Sequence, residues 1–345
     1  MHHEQKKAVS AKRKYFKSMF QRINQSQAYK GFFSSMWYSN LPCFDIKGVT
    51  AERDGRRSLL RHCSWKEKTI PCSALFTTFP TDRGMCCSFN TDAAEDLFEG
   101  DTFPGLISSL DENDRENAFT KSDLPRSYIE NGEPKVQPGQ NKGLYIMLDA
   151  HSDIFSASSV DSDNEGFVGL VHPKEAFPFT MLEGFKIRPG HLNIVALSGS
   201  SVDADISIRP IDPFDRNCYF PDEIEQMKVY KVYTQSNCIF ECSIEYAQQR
   251  MQDETNSSCI PWYYPTIDTE IEFCDPWQTI DFFYYMFDEI PDETCTKCLP
   301  DCSNTIYDPS ITSVPFRRCD SSNLGVSHLC NLDDSRFIFL QLTLQ

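Results

Sequence analysis

Fifteen cysteines in 345 residues constrain this chain more than any other feature. Thiols at that density suit an oxidising compartment, unless metals hold them. Their spacing carries more. Cys238 and Cys242 stand four residues apart within Thr234 to Asn256, a stretch without Pro or Gly. With Tyr246 they recur every four residues and therefore share one face of a helix. Downstream comes Cys295-Thr-Lys-Cys298-Leu-Pro-Asp-Cys302. A helix face with sulfurs one turn apart suits two staples to a single antiparallel segment, each contributing about 2–4 kcal/mol by restricting the unfolded chain. Cys295-x-x-Cys298 is also the spacing of a redox pair or half a zinc site. Zinc needs further ligands at matched spacing and a redox motif prefers a helix start after a strand, so structural disulfides are the favoured reading.

The charge balance, 33 basic against 50 acidic residues for a net −17, repels phosphate backbones and argues against nucleic-acid binding. The first 31 residues are the exception, basic from Lys6 to Lys30, and suit either an anionic membrane surface or a solvated terminus. Asn24-Gln-Ser and Asn256-Ser-Ser are acceptor triplets for glycosylation. No run approaches the ~18 apolar residues of a spanning helix, and the amino terminus has no secretory h-region. Extracellular chemistry without a means of export is the expectation for a membrane protein given without its spans.

Phe and Tyr, 26 and 14 of them, favour pleated half-buried surfaces. Leu144–Leu148, Phe167–Val171 and Leu192–Leu197 read as short strands, and Phe337–Leu344 alternates, with Ile338, Leu340, Leu342 and Leu344 on one face. Helices are expected over Thr234–Asn256 and Gln278–Glu289, the second stopped by Pro291. Residues 91–140 are acidic and turn-rich and read as a peripheral insertion of short helices and loops. Strands and helices are segregated rather than alternating, so the fold class expected is α+β.

The ordered set Cys218, Cys238-x-x-x-Cys242, Cys259, Cys274, Cys295-x-x-Cys298-Leu-Pro-x-Cys302 resembles the thumb of the degenerin/epithelial (amiloride-sensitive) sodium channel superfamily. Gly84-Met-Cys-Cys-Ser-Phe-Asn90, Asn141-Lys-Gly-Leu-Tyr-Ile-Met-Leu-Asp149 and Gly184-Phe-Lys-Ile-Arg-Pro-Gly190 resemble family motifs in the same order. The doubled cysteine and Cys63-Ser-Trp…Cys72-Ser-Ala-Leu-Phe look most like the arthropod pickpocket branch. The resemblance covers roughly Ser58 to the end. It implies pairing of Cys218–Cys302, Cys238–Cys298, Cys242–Cys295, Cys259–Cys274 and Cys63–Cys72, which spacing alone does not select. For Cys43, Cys86, Cys87, Cys319 and Cys330 the expectation is Cys319–Cys330 and Cys43 with Cys86 or Cys87, leaving one odd thiol. The family usually has a further thumb pair. Here Ser257 stands at its first position and no cysteine lies between Cys274 and Cys295, so both members are absent together.

The resemblance further implies a hand-like ectodomain with a mixed β palm, an inner β cluster, outer helices and a disulfide-stapled helical thumb. The expected division is a basic and aromatic lead-in over 1–50, a finger and knuckle-side insertion over 51–142, palm and inner β cluster over 143–214, the Cys-rich thumb over 215–305 and a return palm strand over 306–345. Implied too are a homo- or hetero-trimer of related subunits, sodium ions as cargo, the extracellular side of the plasma membrane, and Leu344 as the coupling point to the pore. The family's His-Gly gating motif and both spanning helices are missing from the sequence as given, so on this expectation the chain alone does not line a pore. A secreted cysteine-rich interaction protein, or a truncated subunit that suppresses full-length ones, is the alternative.

Other features read as ordinary surface. Asp161-Ser-Asp-Asn-Glu-Gly166 begins like a calcium loop, but His172 replaces the bidentate Glu at position twelve. His151, His172, His191 and His328 titrate in the range of a proton sensor, and the acids of 91–140 and 268–293 could crowd into an acidic pocket. No His-Glu-x-x-His, Gly-x-Ser-x-Gly or phosphate-loop motif occurs, and neither an enzyme nor a cofactor is expected.

Overall fold

The computed structural model describes Cys43 and residues 58–99 (apart from 83 and 93), 129–130, 133–134, 142–150, 166–180, 184–225, 227–256, 258–266, 272–287, 293–315 and 337–344. Its strands are β1 (Leu60–Trp65), β2 (Lys68–Thr69), β3 (Phe76–Thr81), β4 (Gly84–Phe89), β5 (Ile129–Glu130), β6 (Glu133–Pro134), β7 (Leu144–Asp149), β8 (Phe167–Gly169), β9 (Phe185–Ile187), β10 (His191–Asp203), β11 (Ser303–Pro315) and β12 (Phe337–Leu344). Its helices are α1 (Cys72–Leu75), α2 (Ala94–Leu97), α3 (Pro213–Arg216), α4 (Gln235–Thr255) and α5 (Pro276–Phe287). The fold is mixed α+β.

Six strands form one mixed sheet in the order β11-β10-β12-β7-β1-β2. The β10–β12 pair is parallel, in register from Leu192↔Phe339 to Leu197↔Leu344. β7 runs antiparallel to both β12 and β1, and β11 antiparallel to β10. β7 is buried at every position but Tyr145, as an interior strand covered on both sides should be. Burial of Tyr145 pushes its phenol pKa up to about 12. β1 and β2 meet in a two-residue turn at Lys66 and Glu67, with φ of 51° and 65°. Paired left-handed residues match the twist of a tight hairpin, although Asn-Gly is the usual sequence there.

Beside a small cluster around Tyr219, Tyr233, Cys238 and Leu299, two larger cores divide the described residues. One lies against the sheet and takes Leu60, Trp65, Leu75, Phe76, Ile146 and Val195. The other surrounds α4 and α5, with Phe240, Ile244, Met251, Phe282 and Met286. β3 joins them, since its Phe76 packs in the first and its Phe79 in the second. The loop before β10 is closed by Asn193, which is fully buried. Its Oδ1 accepts from Arg188 N at 3.3 Å and its Nδ2 donates to Arg188 O at 3.1 Å and His191 O at 3.2 Å. Gly190 turns the chain at φ 66°, and a Cβ on Gly184 would stand 2.3 Å from Val168 Cγ1.

Four expectations change. Residues 60–69, within the 51–142 finger and knuckle-side insertion that the resemblance implies, supply β1 and β2 of the main sheet, because Leu60, Cys63 and Trp65 have an apolar face to bury there. The 303–315 segment is polar and holds Pro309, and within the return strand expected over 306–345 only Phe337–Leu344 carries a readable alternation. The polar segment nonetheless forms β11, where an edge position needs no buried face and accommodates proline. α5 starts at Pro276 rather than Gln278: Asp275 Oδ1 accepts from Gln278 N and Gln278 Oε1 from Asp275 N, both at 2.8 Å, a reciprocal capping box with Pro in the first turn. The expected strand at Leu192–Leu197 is present but runs on through six more residues to Asp203.

Candidate functional site: a stapled helix and the ribbon beneath it

α4 forms where the sequence interposes no breaker and caps both ends. Thr234 Oγ1 accepts from Asn237 N at 3.1 Å, and Asn256 closes the helix in the left-handed conformation at φ 54°. Its first turns carry two neighbouring stripes. Cys238 and Cys242 form one, joined to Cys298 and Cys295 across Cα–Cα distances of 5.5 and 5.9 Å. The order is antiparallel, so the helix and the 295–298 segment are held as a ladder.

The second stripe is polar and one residue behind. Asn237, 1% exposed, accepts from Phe177 N at 2.8 Å and donates to Glu175 O at 3.0 Å. Its amide thus acts as a main-chain partner for the 175–177 segment. One turn on, Glu241 is 4% exposed and accepts from Lys228 N at 2.7 Å and Val229 N at 3.3 Å. Burial raises its pKa above 4.5, against the lowering pull of those two amides. The segment it holds in turn anchors α2 and its flank: Lys231 N donates to Leu97 O and Glu99 N to Val229 O, around a Phe98↔Tyr230 bridge.

Below the ladder, Cys218–Cys302 closes the base of the unit, and Cys259–Cys274 ties the segment after α4 to the one before α5. Residues 298–302 are held from several sides. Tyr233 Oη donates to Leu299 O at 2.5 Å, Gln235 Nε2 to Cys298 O at 3.2 Å, and Asp301 Oδ1 accepts from Gln235 N at 2.9 Å. Burial raises the Asp301 pKa, partly offset by that Gln235 amide. Arg216 knits the base together, its side chain 2% exposed. It donates to Cys218 O at 3.0 Å, Arg209 O at 2.8 Å and Ile211 O at 2.7 Å, pairs with Glu223, and lies 5.0 Å over the Phe220 ring. A planar five-donor fork fits that set of partners and a lysine does not.

From this base the β10–β11 ribbon runs to the sheet. Ala204 N bonds Cys302 O at 2.8 Å, Asp203 pairs with Ser303, and the register continues unbroken to His191↔Pro315. At Leu197, β10 is already beside Leu344 of β12. Main-chain pairing therefore links the base of the stapled unit to the carboxyl-terminal strand.

Of the residues singled out by sequence, the structure joins Cys63–Cys72 and, of the two alternatives for Cys43, Cys87. Cys86 is half-buried and outside the six disulfides, with its Sγ 3.2 Å from Thr81 Oγ1. Asn256 is exposed at the end of α4. His172 and His191 turn Nδ1 to the carbonyls of Pro173 and Pro189, both at 2.7 Å, and burial lowers the His172 pKa. Asn24, Cys319, Cys330, His151, His328, the loop 161–165, the basic arm, most of 91–140, and 268–271 and 288–292 lie outside the described residues. Among the described residues no three or more His, Cys, Asp or Glu side chains are grouped to hold a metal ion, and no helix is long and apolar enough to cross a membrane.

Asn237, Glu241, Arg216 and Tyr233 were not singled out by sequence. A signal existed for two of them: Asn237, Glu241 and Glu245 recur every four residues alongside the cysteine stripe, a polar row where a solvent face alone would be the ordinary reading.

An α+β unit with a helix cross-linked along one face, joined through a two-stranded ribbon to a mixed sheet, is a disulfide-rich domain suited to an oxidising compartment. Residues 1–342 match the family model described as Amiloride-sensitive sodium channel, and the chain belongs to that family. It is a family of channels, not of enzymes. The chain is similar to Pickpocket protein 28 of Drosophila melanogaster, at 26% identity over 268 residues covering 74% of this chain. It spans 42% of that relative's length.

Proposed function

We propose that this chain is the extracellular gating unit of a trimeric, amiloride-sensitive sodium channel subunit of the pickpocket-like branch, coupling an extracellular stimulus to pore opening. In this reading the α4–α5 unit with its ladder is the thumb, the six-stranded sheet is the palm, and Leu344 leads into a pore-lining helix. Homo- or hetero-trimers of related subunits carry sodium ions across the plasma membrane. The observation that carries the reading is the unbroken register from Cys302 through β11 and β10 to Leu197↔Leu344. A displacement of the stapled unit reaches β12 through hydrogen-bonded backbone, and cross-linked rungs pass the displacement on instead of absorbing it.

The test is electrophysiological. The complete subunit, with its membrane-spanning parts, is expressed alone and with pickpocket-type partners, and sodium current is measured with and without amiloride. The expected result is an amiloride-sensitive current whose evoked component falls several-fold in Cys218→Ser/Cys302→Ser at unchanged surface delivery. A surface-delivered subunit that passes no sodium current in either setting, or a double variant with unaltered evoked current, overturns the reading.

A further inference from the structure

We infer that Asn256 is an N-glycosylated residue, and that the end of the α4–α5 pair beside it faces solvent in any assembly the chain enters. An Asn-x-Ser triplet alone is a weak signal. Here three structural facts add to it. Asn256 and Ser258 are both exposed, so the amide and the hydroxyl that the transferring enzyme reads together stand at the surface. Asn256 ends α4 in the left-handed conformation, which turns the chain off the helix at that residue. Its Oδ1 accepts from Gln252 Nε2 at 3.1 Å, so the amide oxygen is occupied by a neighbour on the helix while the amide nitrogen has no protein partner among the described residues. Six disulfides place the chain in the compartment where this modification occurs.

The reaction takes an oligosaccharide carried on a polyisoprenoid diphosphate. The Asn256 amide nitrogen forms a bond to the first sugar carbon, the sugar–oxygen bond to the diphosphate breaks, the lipid diphosphate leaves, and the amide gives up one proton. Nothing is oxidised or reduced.

Position gives the modification its consequence. Cys242 lies fourteen residues before Asn256, about 20 Å away along the helix axis. A glycan there leaves the ladder untouched. It stands instead over the far end of the helix pair, where Tyr285 Oη donates to Glu254 Oε2 at 2.7 Å and Arg250 lies 6.0 Å over the Tyr285 ring. A hydrated sugar chain at that end keeps another protein copy from packing there, so contacts between subunits fall on other faces.

The experiment uses the complete protein, delivered to the surface of a eukaryotic cell, then reduced, alkylated and digested with trypsin. Arg250 and Lys297 bound a peptide, Met251–Lys297, in which Asn256 is the one acceptor triplet. Release of the glycan by peptide-N-glycosidase F in heavy-oxygen water converts a modified Asn256 to labelled aspartate. The expected result is labelled aspartate at 256, lost in Ser258→Ala, a variant that keeps the helix cap intact. Lectin capture of the native assembly without its dissociation is the expected second result. Surface-delivered protein whose Met251–Lys297 peptide carries only unmodified asparagine overturns the site. A glycan at Asn256 that lectin reaches only after dissociation overturns the solvent-facing end.

Discussion

The stapled unit and the ribbon beneath it are held by different physics. Around α4, each element is fixed by bonds that point in several directions: two disulfide rungs, the Asn237 and Glu241 side chains, and the Arg216 fork. The outer half of the ribbon, 198–203 against 303–308, has main-chain pairing and little else, and its Val202 and Ile306 stand 67% and 59% exposed. Cross-links in many directions make a body that moves as one piece. A two-stranded ladder resists stretching along its strands and yields to bending across them. The contrast is what a lever on a hinge requires.

The largest effects test the covalent side of this contrast. Removing Cys218–Cys302, which closes roughly 24 residues once the Cys238–Cys298 rung shortens the path, is expected to cost about 3–4 kcal/mol, against about 2–3 kcal/mol for Cys63–Cys72, which closes 9. Denaturant unfolding of the two double-serine variants ranks them, and equal losses would remove the special standing of the base. Next comes Arg216→Ala, expected to cost about 3 kcal/mol because Glu223 and three carbonyls lose a buried partner together. Arg216→Lys should recover little of it, and full recovery in thermal unfolding would show that charge alone suffices.

A smaller effect concerns pH. Glu241 and Asp301 are raised by burial, so the folded state holds their protons more tightly than the unfolded chain does. Stability from these two groups is fully present below their ordinary values and is lost as pH rises through the raised ones. His172, lowered by burial, has the opposite sign: its contribution is full above 6.5 and fades as pH falls through the lowered value. Acidification toward the ordinary carboxyl range should therefore bring an α4 contribution from Glu241. Hydrogen exchange reads it as the difference between the parent and Glu241→Gln, against the opposing His172 contribution common to both. An unchanged slope in the variant would remove Glu241 from the account. The smallest effect lies in the sheet. Lys66→Asn with Glu67→Gly relieves two left-handed residues and should add about 1 kcal/mol or more to thermal stability without moving α4.

Much of the helical unit was legible in the sequence, and the reason is local. Thr234 and Asn256 bound α4 by capping chemistry, and the four-residue recurrence of Cys238 and Cys242 marks its face within a single turn. The ribbon was half hidden. β10 was readable only to Leu197, beyond which Val202 is its one apolar residue, and β11 only as part of the 306–345 return segment, because exposed pairing leaves no hydrophobic alternation to read. Glu241 and Arg216 were hidden for a further reason. Their role depends on backbone groups at 228–229 and 209–218 that only the folded chain brings to them. The cap of α5 was present as Asp275-Pro-Trp-Gln278 and went unread.

β12 lies between β10 and β7, with hydrogen-bonded neighbours along both edges from Phe339 to Leu342. A strand on the rim of a sheet peels away one bond at a time, under a small force. A strand flanked on both sides must slide, breaking many bonds together, and so tolerates a far greater load before it slips. Traction applied at Leu344 would therefore tilt the whole sheet before it tore out the strand that delivers it.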